Sequence, residues 1–375
     1  MLQADRRAGG SMNLEKKTME EKVQEQRNAD RGKTIEVNDL YVTYNVRKKR
    51  KKAKNQAGDD ECVHAVNGVT MDIRTGEILA VVGESGCGKT TLGKAILNII
   101  RSSSGTIKYH GQDLSKLSGS QLQSLRQKMQ LIFQDPYESL DPRQSVYKAL
   151  EEPLDIHRKD MSPEQKKERI YKYLEAVGLH PAETMAQRYP HHLSGGQRQR
   201  LSIAATMILE PDFVVADEPV SMLDVSIRAE ILKLMLDLQK GTDLTYMFIT
   251  HDLSLAWLIA DRIAVFYLGK LVEIGQADDV VHRCMHPYSQ ALVSVIPKIR
   301  EEADEDKGHV LRGETPSPMS IPSGCCFHTR CWLYQEKGCP EVCRQKEPAL
   351  VTVGGDHQAA CHFAGPEEKG GDLHG

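Results

Sequence analysis

No stretch of this chain approaches the eighteen or so apolar residues that a membrane-crossing helix needs. Its polar N-terminal segment also lacks the apolar core of a secretory signal. Charge of one sign is missing: 49 Lys and Arg stand against 52 Asp and Glu, a net charge of −3, which argues against nucleic acid as the main partner. Sustained heptads are absent, which argues against a long coiled-coil insertion, and no internal repeat is seen. These absences predict a chain kept in the cytosol, touching a membrane only through partner proteins. Cysteine is not scarce, but it is uneven. Cys62, Cys87 and Cys284 are scattered, while Cys325, Cys326, Cys331, Cys339, Cys343 and Cys361 crowd the end. In a cytosolic chain of this size that distribution is not a disulfide framework.

What is present fits a globular protein of one large domain plus an appendage, since 375 residues exceed what a single core usually serves. Residues 1–33 are polar and aperiodic, and disorder is expected there. "TIEVNDLYVTY" (34–44) alternates like a strand. The basic "RKKRKKAK" (47–54) reads as a solvated hairpin loop, with contact to lipid headgroups or nucleic acid as the other reading. From Cys62 to about Ile299, short apolar strands alternate with helical stretches, the rhythm of a parallel α/β sheet. An acidic linker follows at 301–308. "GETPSPMSIPSG" (313–324) must then be extended or looped, and a flexible tail is expected over 364–375.

"ILAVVGESGCGKTTLGKAIL" (78–97) reads as strand, glycine loop and helix, matching G-x-x-x-x-G-K-T/S through Gly83, Gly88, Lys89 and Thr90. In such a loop backbone N–H groups close around phosphates, the lysine reaches the outer phosphates and the hydroxyl ligates Mg²⁺. The expected ATP-binding stretch is therefore Gly83, Glu84, Ser85, Gly86, Cys87, Gly88, Lys89, Thr90 and Thr91, with Cys87 as a spacer or, alternatively, a redox switch. Three more apolar strands end in polar residues: "QLIFQ" at Gln134, "FVVADE" at Asp217 and Glu218, and "YMFITH" at His251. Open parallel sheets bind ligands at the carboxyl ends of their strands, so all four would deliver chemistry to one edge. Hydrolysis of ATP needs positioning, charge neutralisation and an oriented water. Asp217, with Thr90 and Gln134, is placed to hold Mg²⁺. Glu218 is the candidate general base, and Gln134 can reach the metal or the water. His251 can bond the γ-phosphate.

"HHLSGGQRQRLSIAA" (191–205) raises a different question, because a glycine pair opening a helix is a second anion site. "LSGGQ" (193–197), Gln134, "VVADEP" (214–219), "SMLD" (221–224) and His251, in this order after a phosphate loop, resemble an ABC-type ATPase over about residues 34–299. The resemblance implies the ABC nucleotide-binding fold, a RecA-like core with antiparallel β and helical subdomains. It also implies a head-to-tail dimer in which each ATP lies between the phosphate loop of one chain and Ser194, Gly195, Gly196 and Gln197 of the other. By the same resemblance Asp224 would tie the two sites together, and Tyr44 would stack on adenine.

Only about a hundred residues separate the phosphate loop from the "LSGGQ" stretch, and one ATPase unit is present, which suits a separate importer subunit. "HPYSQALVSVIP" (286–297), "LRGETPSP" (311–318) and the cysteine-rich end, over about 286–363, resemble the C-terminal region of oligopeptide/dipeptide importer ATPases, as do "DPYESLDPR" (135–143) and "PVSMLDVSIRAEIL" (219–232). "DPYESLDPR" stands where such proteins receive the membrane subunits. The implied partners are a second ATPase subunit, either a paralogue or a second copy, two permease subunits and an external solute-binding protein. The implied location is peripheral, on the cytoplasmic side of the membrane. The cargo would be a short peptide, with nickel or another small solute as alternatives, and a soluble ABC ATPase acting on nucleic acid as the reading from another class. Cys326, Cys331, Cys343 and Cys361 match the family pattern in this small Cys-rich region (300–363), which implies a [4Fe–4S] cluster. Soft thiolates suit zinc as well, and unligated thiols remain open.

Overall fold

The computed structural model describes residues 31–45, 62–296, 309, 311 and 313–365. Most of the expected N-terminal disorder, the basic block 47–54, the linker 301–308 and nearly all of the tail lie outside the described residues.

Strands β3 (Ile78–Val82), β7 (Phe213–Asp217), β8 (Thr245–Thr250) and β9 (Arg262–Tyr267) are buried at every residue. Their apolar runs do not alternate because both faces are covered, as in a parallel sheet between helical layers. β6 (Met129–Ile132) pairs with β7, β7 with β8, β8 with β3 and β3 with β9, all in parallel. The chain then reverses at Leu268–Gly269, both at positive φ, the hand of turn that suits a tight hairpin. β10 (Lys270–Gln276) returns antiparallel on β9. β11 (Val351–Gly354) and β12 (His357–Ala359) extend that edge, giving the order β11-β12-β10-β9-β3-β8-β7-β6.

A second, antiparallel sheet runs β2-β1-β4-β5, from β1 (Lys33–Asn45), β2 (Cys62–Arg74), β4 (Ser104–Tyr109) and β5 (Gln112–Asp113). The alternation of β1 slips by one residue: Ile35 and Val37 face inward, then Leu40 and Val42. The slip falls at a register shift around Asp39, whose φ is 46°, so one extra residue keeps the apolar face on the core across the bend. That face packs on Leu79 and Val81 of β3 and on Leu92 and Ile96 of α1 (Lys89–Ile96).

The helical part is written in local signals. α2 (Val146–His157) buries Val146, Leu150 and Leu154, four residues apart, and is capped by Ser145. α3 (Pro163–Ala176) starts with a Ser162–Gln165 capping box and proline at its first position. α4 (Gly195–Met207) has a Ser194–Gln197 capping box, and α5 (Val225–Gln239) is capped by Asp224. Their inner faces share one core with Ile132, Val214 and Phe248 of the large sheet.

Residues after β10 pack on the sheet rather than stand apart from it. α6 (Pro287–Val293) and the loop before α7 (Trp332–Glu336) send Tyr288 and Phe327, both nearly fully buried, into a cluster with Tyr267 of β9. The "GETPSPMSIPSG" segment carries no helix or strand, as its composition requires. Among the described residues no helix is long and apolar enough to cross a membrane.

Candidate functional site

The turn from β3 to α1 can be made only by glycine at its two ends. Gly83 has φ 157°, and a Cβ there would sit 2.2 Å from the Phe266 carbonyl oxygen; Gly88 has φ 104°, and a Cβ would meet the Ala65 oxygen at 2.0 Å. The loop is thereby folded tightly enough to turn backbone N–H groups inward. Lys89, almost wholly buried, donates from Nζ to the carbonyl oxygens of Gly83 at 2.8 Å and Glu84 at 3.0 Å. An ammonium held on loop carbonyls is poised to exchange them for a phosphate oxygen, a stronger acceptor. The buried Cys87 thiol, which burial pushes up, packs against Gly83 in the loop interior.

The strand ends converge here. Asp217 closes β7, and its carboxylate accepts from the Thr90 hydroxyl at 2.9 Å. Burial pushes the Asp217 carboxyl up, Thr90 opposes this, and the neighbouring Glu218 adds to it. A carboxylate whose charge burial penalises, bonded to a hydroxyl of the loop, is a hard-oxygen pair that a divalent cation would relieve, so Asp217 and Thr90 fit Mg²⁺. Glu218 has φ 44°, a left-handed backbone conformation that ends the line of β7. Its Oε2 accepts from Gln134 Nε2 at 3.3 Å and lies 3.2 Å from His251 Nδ1. Both contacts fall on the same oxygen, and among the described residues no side chain bonds Oε1.

A cavity of about 520 Å³ joins these parts. Ser85, Gly86, Gly88, Lys89, Thr90, Thr91, Gln134, Glu218, His251 and Tyr44 line it, all expected from the sequence. The expected loop residues Gly83, Glu84 and Cys87 do not line it, and Asp217 is reached through Thr90. Three wall residues were not anticipated: Val63 and Ala65 of β2, and Pro318 from the "GETPSP" stretch, whose carbonyl accepts from the His64 N–H at 3.1 Å. A proline-rich loop carrying no element of its own was the only signal for the last.

Ser194, Gly195, Gly196, Gln197 and Asp224 do not line the cavity of their own chain. The Ser194 hydroxyl and the Gln197 side chain close the start of α4 on itself, and Gly196 lies so close to Ile227 of α5 that a Cβ would sit 2.7 Å away. Asp224 caps α5 through the Ile227 N–H at 3.1 Å.

The cysteine-rich end departs from the expectation. Among the described residues no three His, Cys, Asp or Glu side chains gather as an ion-holding group, so Cys326, Cys331, Cys343 and Cys361 are not a preformed zinc site. Cys326 points into the core beside Tyr267, where burial raises its thiol to about 12. Burial raises the thiols of Cys325, Cys331, Cys343 and Cys361, taking Cys325 to about 12 and Cys331 to about 11. Cys325 then feels Cys326 first and Cys331 and Cys361 after it, while Cys343 acts on both Cys331 and Cys361. The backbone ties the same pair of loops, Cys325 N–H donating to the Cys343 carbonyl at 2.8 Å.

Comparisons with known proteins agree with this geometry. A family model described as ABC transporter matches residues 66–221, and one described as the C-terminal region of oligopeptide/dipeptide transporters matches 272–339. The oligopeptide transport ATP-binding protein AppF of Bacillus subtilis is 42% identical over 303 residues, covering 80% of this chain and 90% of that protein. The dipeptide transport ATP-binding protein DppF of Escherichia coli is 44% identical over 316 residues, covering 84% and 92%. Among solved structures, cbiO1 from Clostridium perfringens, part of the ABC transporter complex cbiONQ, aligns with a TM-score of 0.57 at 26% identity, covering 70% of this chain and 93% of that one. A dimeric structure of the ATP-binding cassette MJ0796 with ADP and phosphate aligns at 0.56 and 26%, covering 65% and 98%.

Proposed function

This chain belongs to the ABC transporter ATP-binding proteins of the oligopeptide/dipeptide type, and from that premise we propose that it hydrolyses ATP to drive a membrane permease that imports short peptides. The observation that carries the reading is Glu218, whose carboxylate is held by Gln134 and His251 at the mouth of a phosphate loop. In this reading the loop from Gly83 to Thr91 wraps the phosphates, Lys89 takes the outer ones and Tyr44 stacks on adenine. Thr90, Gln134 and Asp217 would hold Mg²⁺, which supplies charge neutralisation on the phosphate oxygens. Glu218 accepts a proton from the attacking water at Oε1, while Gln134 and His251 fix its orientation through Oε2. His251 would also bond the γ-phosphate as a donor.

The partner chain's Ser194–Gln197 segment is proposed to complete each site, with Asp224 at the seam between the two. Support comes from the absence of that segment from its own chain's cavity and from the dimeric form of the related cassette. ATP would hold two subunits closed through its γ-phosphate, and hydrolysis would release them. The proposed partners are a second ATPase subunit, two permease subunits and an external solute-binding protein, with the chain peripheral on the cytoplasmic face of the membrane.

For the cysteine-rich end the finer proposal is a [4Fe–4S] cluster, bulkier than an ion, on Cys325, Cys331, Cys343 and Cys361. Thiols raised by burial and by one another stay protonated until a cationic centre takes them as thiolates, which supports the choice. Its role would be to pin a region with little core of its own. Iron and zinc analysis of anaerobically prepared protein tests this. Iron that survives Cys326→Ser but is lost in Cys325→Ser is the expected pattern, and neither metal in the parent would end the reading.

The catalytic assignment is tested with Glu218→Gln. It should bind ATP, lose turnover by about 100-fold or more, and accumulate as a closed dimer. Parental turnover in that variant would remove Glu218 from the role of base.

A further inference from the structure

Glu84 is the second residue of the phosphate loop, yet it does not line the nucleotide cavity. All its polar groups are engaged instead. Its N–H donates to the Tyr288 hydroxyl at 3.0 Å. Its carbonyl accepts from Lys89 Nζ at 3.0 Å. Its carboxylate accepts from Thr315 at 2.6 Å and from both terminal nitrogens of Arg330, at 2.8 Å and 3.0 Å.

The partners come from far along the chain, 204 residues away for Tyr288, 231 for Thr315 and 246 for Arg330. They are themselves rigidly placed. The Tyr288 side chain is fully buried against Tyr267 and Phe327, and the Arg330 side chain is only 6% exposed. Arg330 also lies over the Tyr267 ring, 5.8 Å from its centroid, and donates to its hydroxyl at 3.4 Å. Burial alone would raise the Glu84 carboxyl, but the hydrogen bonds from Arg330 and Thr315 win and hold it below its usual range. A two-pronged guanidinium–carboxylate contact fixes orientation as well as distance.

A glycine-rich loop gains affinity for phosphate when it is held in the bound shape beforehand. We propose that Arg330, with Tyr288 and Thr315, is a positioning residue for the phosphate loop: the C-terminal region braces Glu84, and through the Glu84 carbonyl it sets where Lys89 waits for phosphate. The proposal rests on the reading of this loop as the ATP site. Arg330 touches Glu84 and not the nucleotide cavity, so its removal should act on affinity first.

The test uses the full chain, with MgATP binding and steady-state hydrolysis measured beside the melting temperature. Arg330→Gln should weaken MgATP binding about tenfold, with KM rising more than kcat falls. Arg330→Lys should recover part of the loss, because one charged donor remains. In a Glu84→Gln background Arg330→Gln should add little, the mark of two residues acting as one unit. Tyr288→Phe and Thr315→Val each remove one hydroxyl, and each should weaken binding by roughly twofold to fivefold. They decide the matter if Arg330→Gln does not fold. Parental MgATP affinity in the folded Arg330→Gln, Tyr288→Phe and Thr315→Val variants overturns the brace. A parent that binds no MgATP overturns the ATP reading instead.

Discussion

The two edges of the large sheet that meet at β3 and β9 solve different problems. At the carboxyl ends of β3, β6, β7 and β8, the proposed function depends on single side chains delivered by short contiguous motifs: Lys89, Gln134, Asp217 with Glu218, and His251. At the lateral edge, where β10 receives β12 and β11, residues distant in sequence hold one another. The Glu273 side chain is wholly buried and accepts from His357 Nε2 at 2.7 Å and from the backbone N–H groups of Met285 and His286 at 2.7 Å and 3.0 Å. Arg74 reaches Asp356 at 2.7 Å in the same way. The first edge carries the chemistry and leaves its groups open to a ligand. The second closes its polar groups on each other and so fixes the position of the C-terminal region. Glu84 stands between them, belonging to the loop of the first and bound by the second.

The sharpest way to break this contrast is Lys89→Ala. If the phosphate edge works through individual side chains, loss of the ammonium should weaken MgATP affinity roughly 100-fold, as removing one member of a buried charged contact does. The melting temperature of the nucleotide-free protein should move little, because Nζ bonds only within the loop itself, to the carbonyls of Gly83 and Glu84 and weakly to the Cys87 sulfur at 3.9 Å. Affinity within a few-fold of the parent would mean that the backbone of the loop does the binding alone.

The same contrast explains what the sequence could and could not reveal. The convergence of the phosphate loop, the strand ends and Tyr44 on one cavity was legible because each sits in a stretch of a few residues whose order carries the geometry. The bend of β1 at Asp39 was not, since the alternation reads straight through it and only pairing with β2 and β4 exposes the extra residue. Nor was the brace on Glu84: the "HPY" and "GETPSP" stretches stood out as motifs, but nothing local ties them to a residue more than 200 positions earlier. The cysteines show the limit most plainly. Spacing cannot choose between adjacent Cys325 and Cys326. The proposed choice of Cys325 rests on placement instead, with Cys326 turned to Tyr267 and Cys325 within the influence of Cys331 and Cys361 as well as of Cys326.

His357→Ala probes the lateral edge. It strips the Glu273 carboxylate of a side-chain partner in a fully buried position and opens space beside Gly275, whose missing Cβ lets the His357 ring approach. Breaking such a pair should destabilise the fold by about 2–4 kcal/mol, visible as a lower melting temperature and faster proteolysis after β10. Should the variant melt like the parent, the edge is not held by its buried network, and the contrast with the phosphate edge fails.

The smallest effect is one of pH, and it concerns His286 at the start of α6. Its Nδ1 accepts the Tyr288 N–H at 3.1 Å, so the ring is held neutral at that nitrogen. Complete burial pushes its pKa down to about 4, against the pull of Glu273. Phe327 packs on the ring, and His357 meets the same carboxylate from β12. The unfolded chain takes up this proton near 6.5, where the folded protein still refuses it, so the unfolded state binds more protons and stability must fall with acidity. The contribution is complete above about pH 6.5 and is lost as pH drops toward 4, with a limiting slope of ~1.4 kcal/mol per pH unit. His286→Asn keeps a capping side chain but has nothing to titrate, and it should flatten the curve of unfolding free energy between pH 5 and 6.5 by close to one proton. Identical slopes in parent and variant would mean that His286 is protonated in the fold, and that the cap on α6 does not link the lateral edge to Tyr288 as the hydrogen bonds describe.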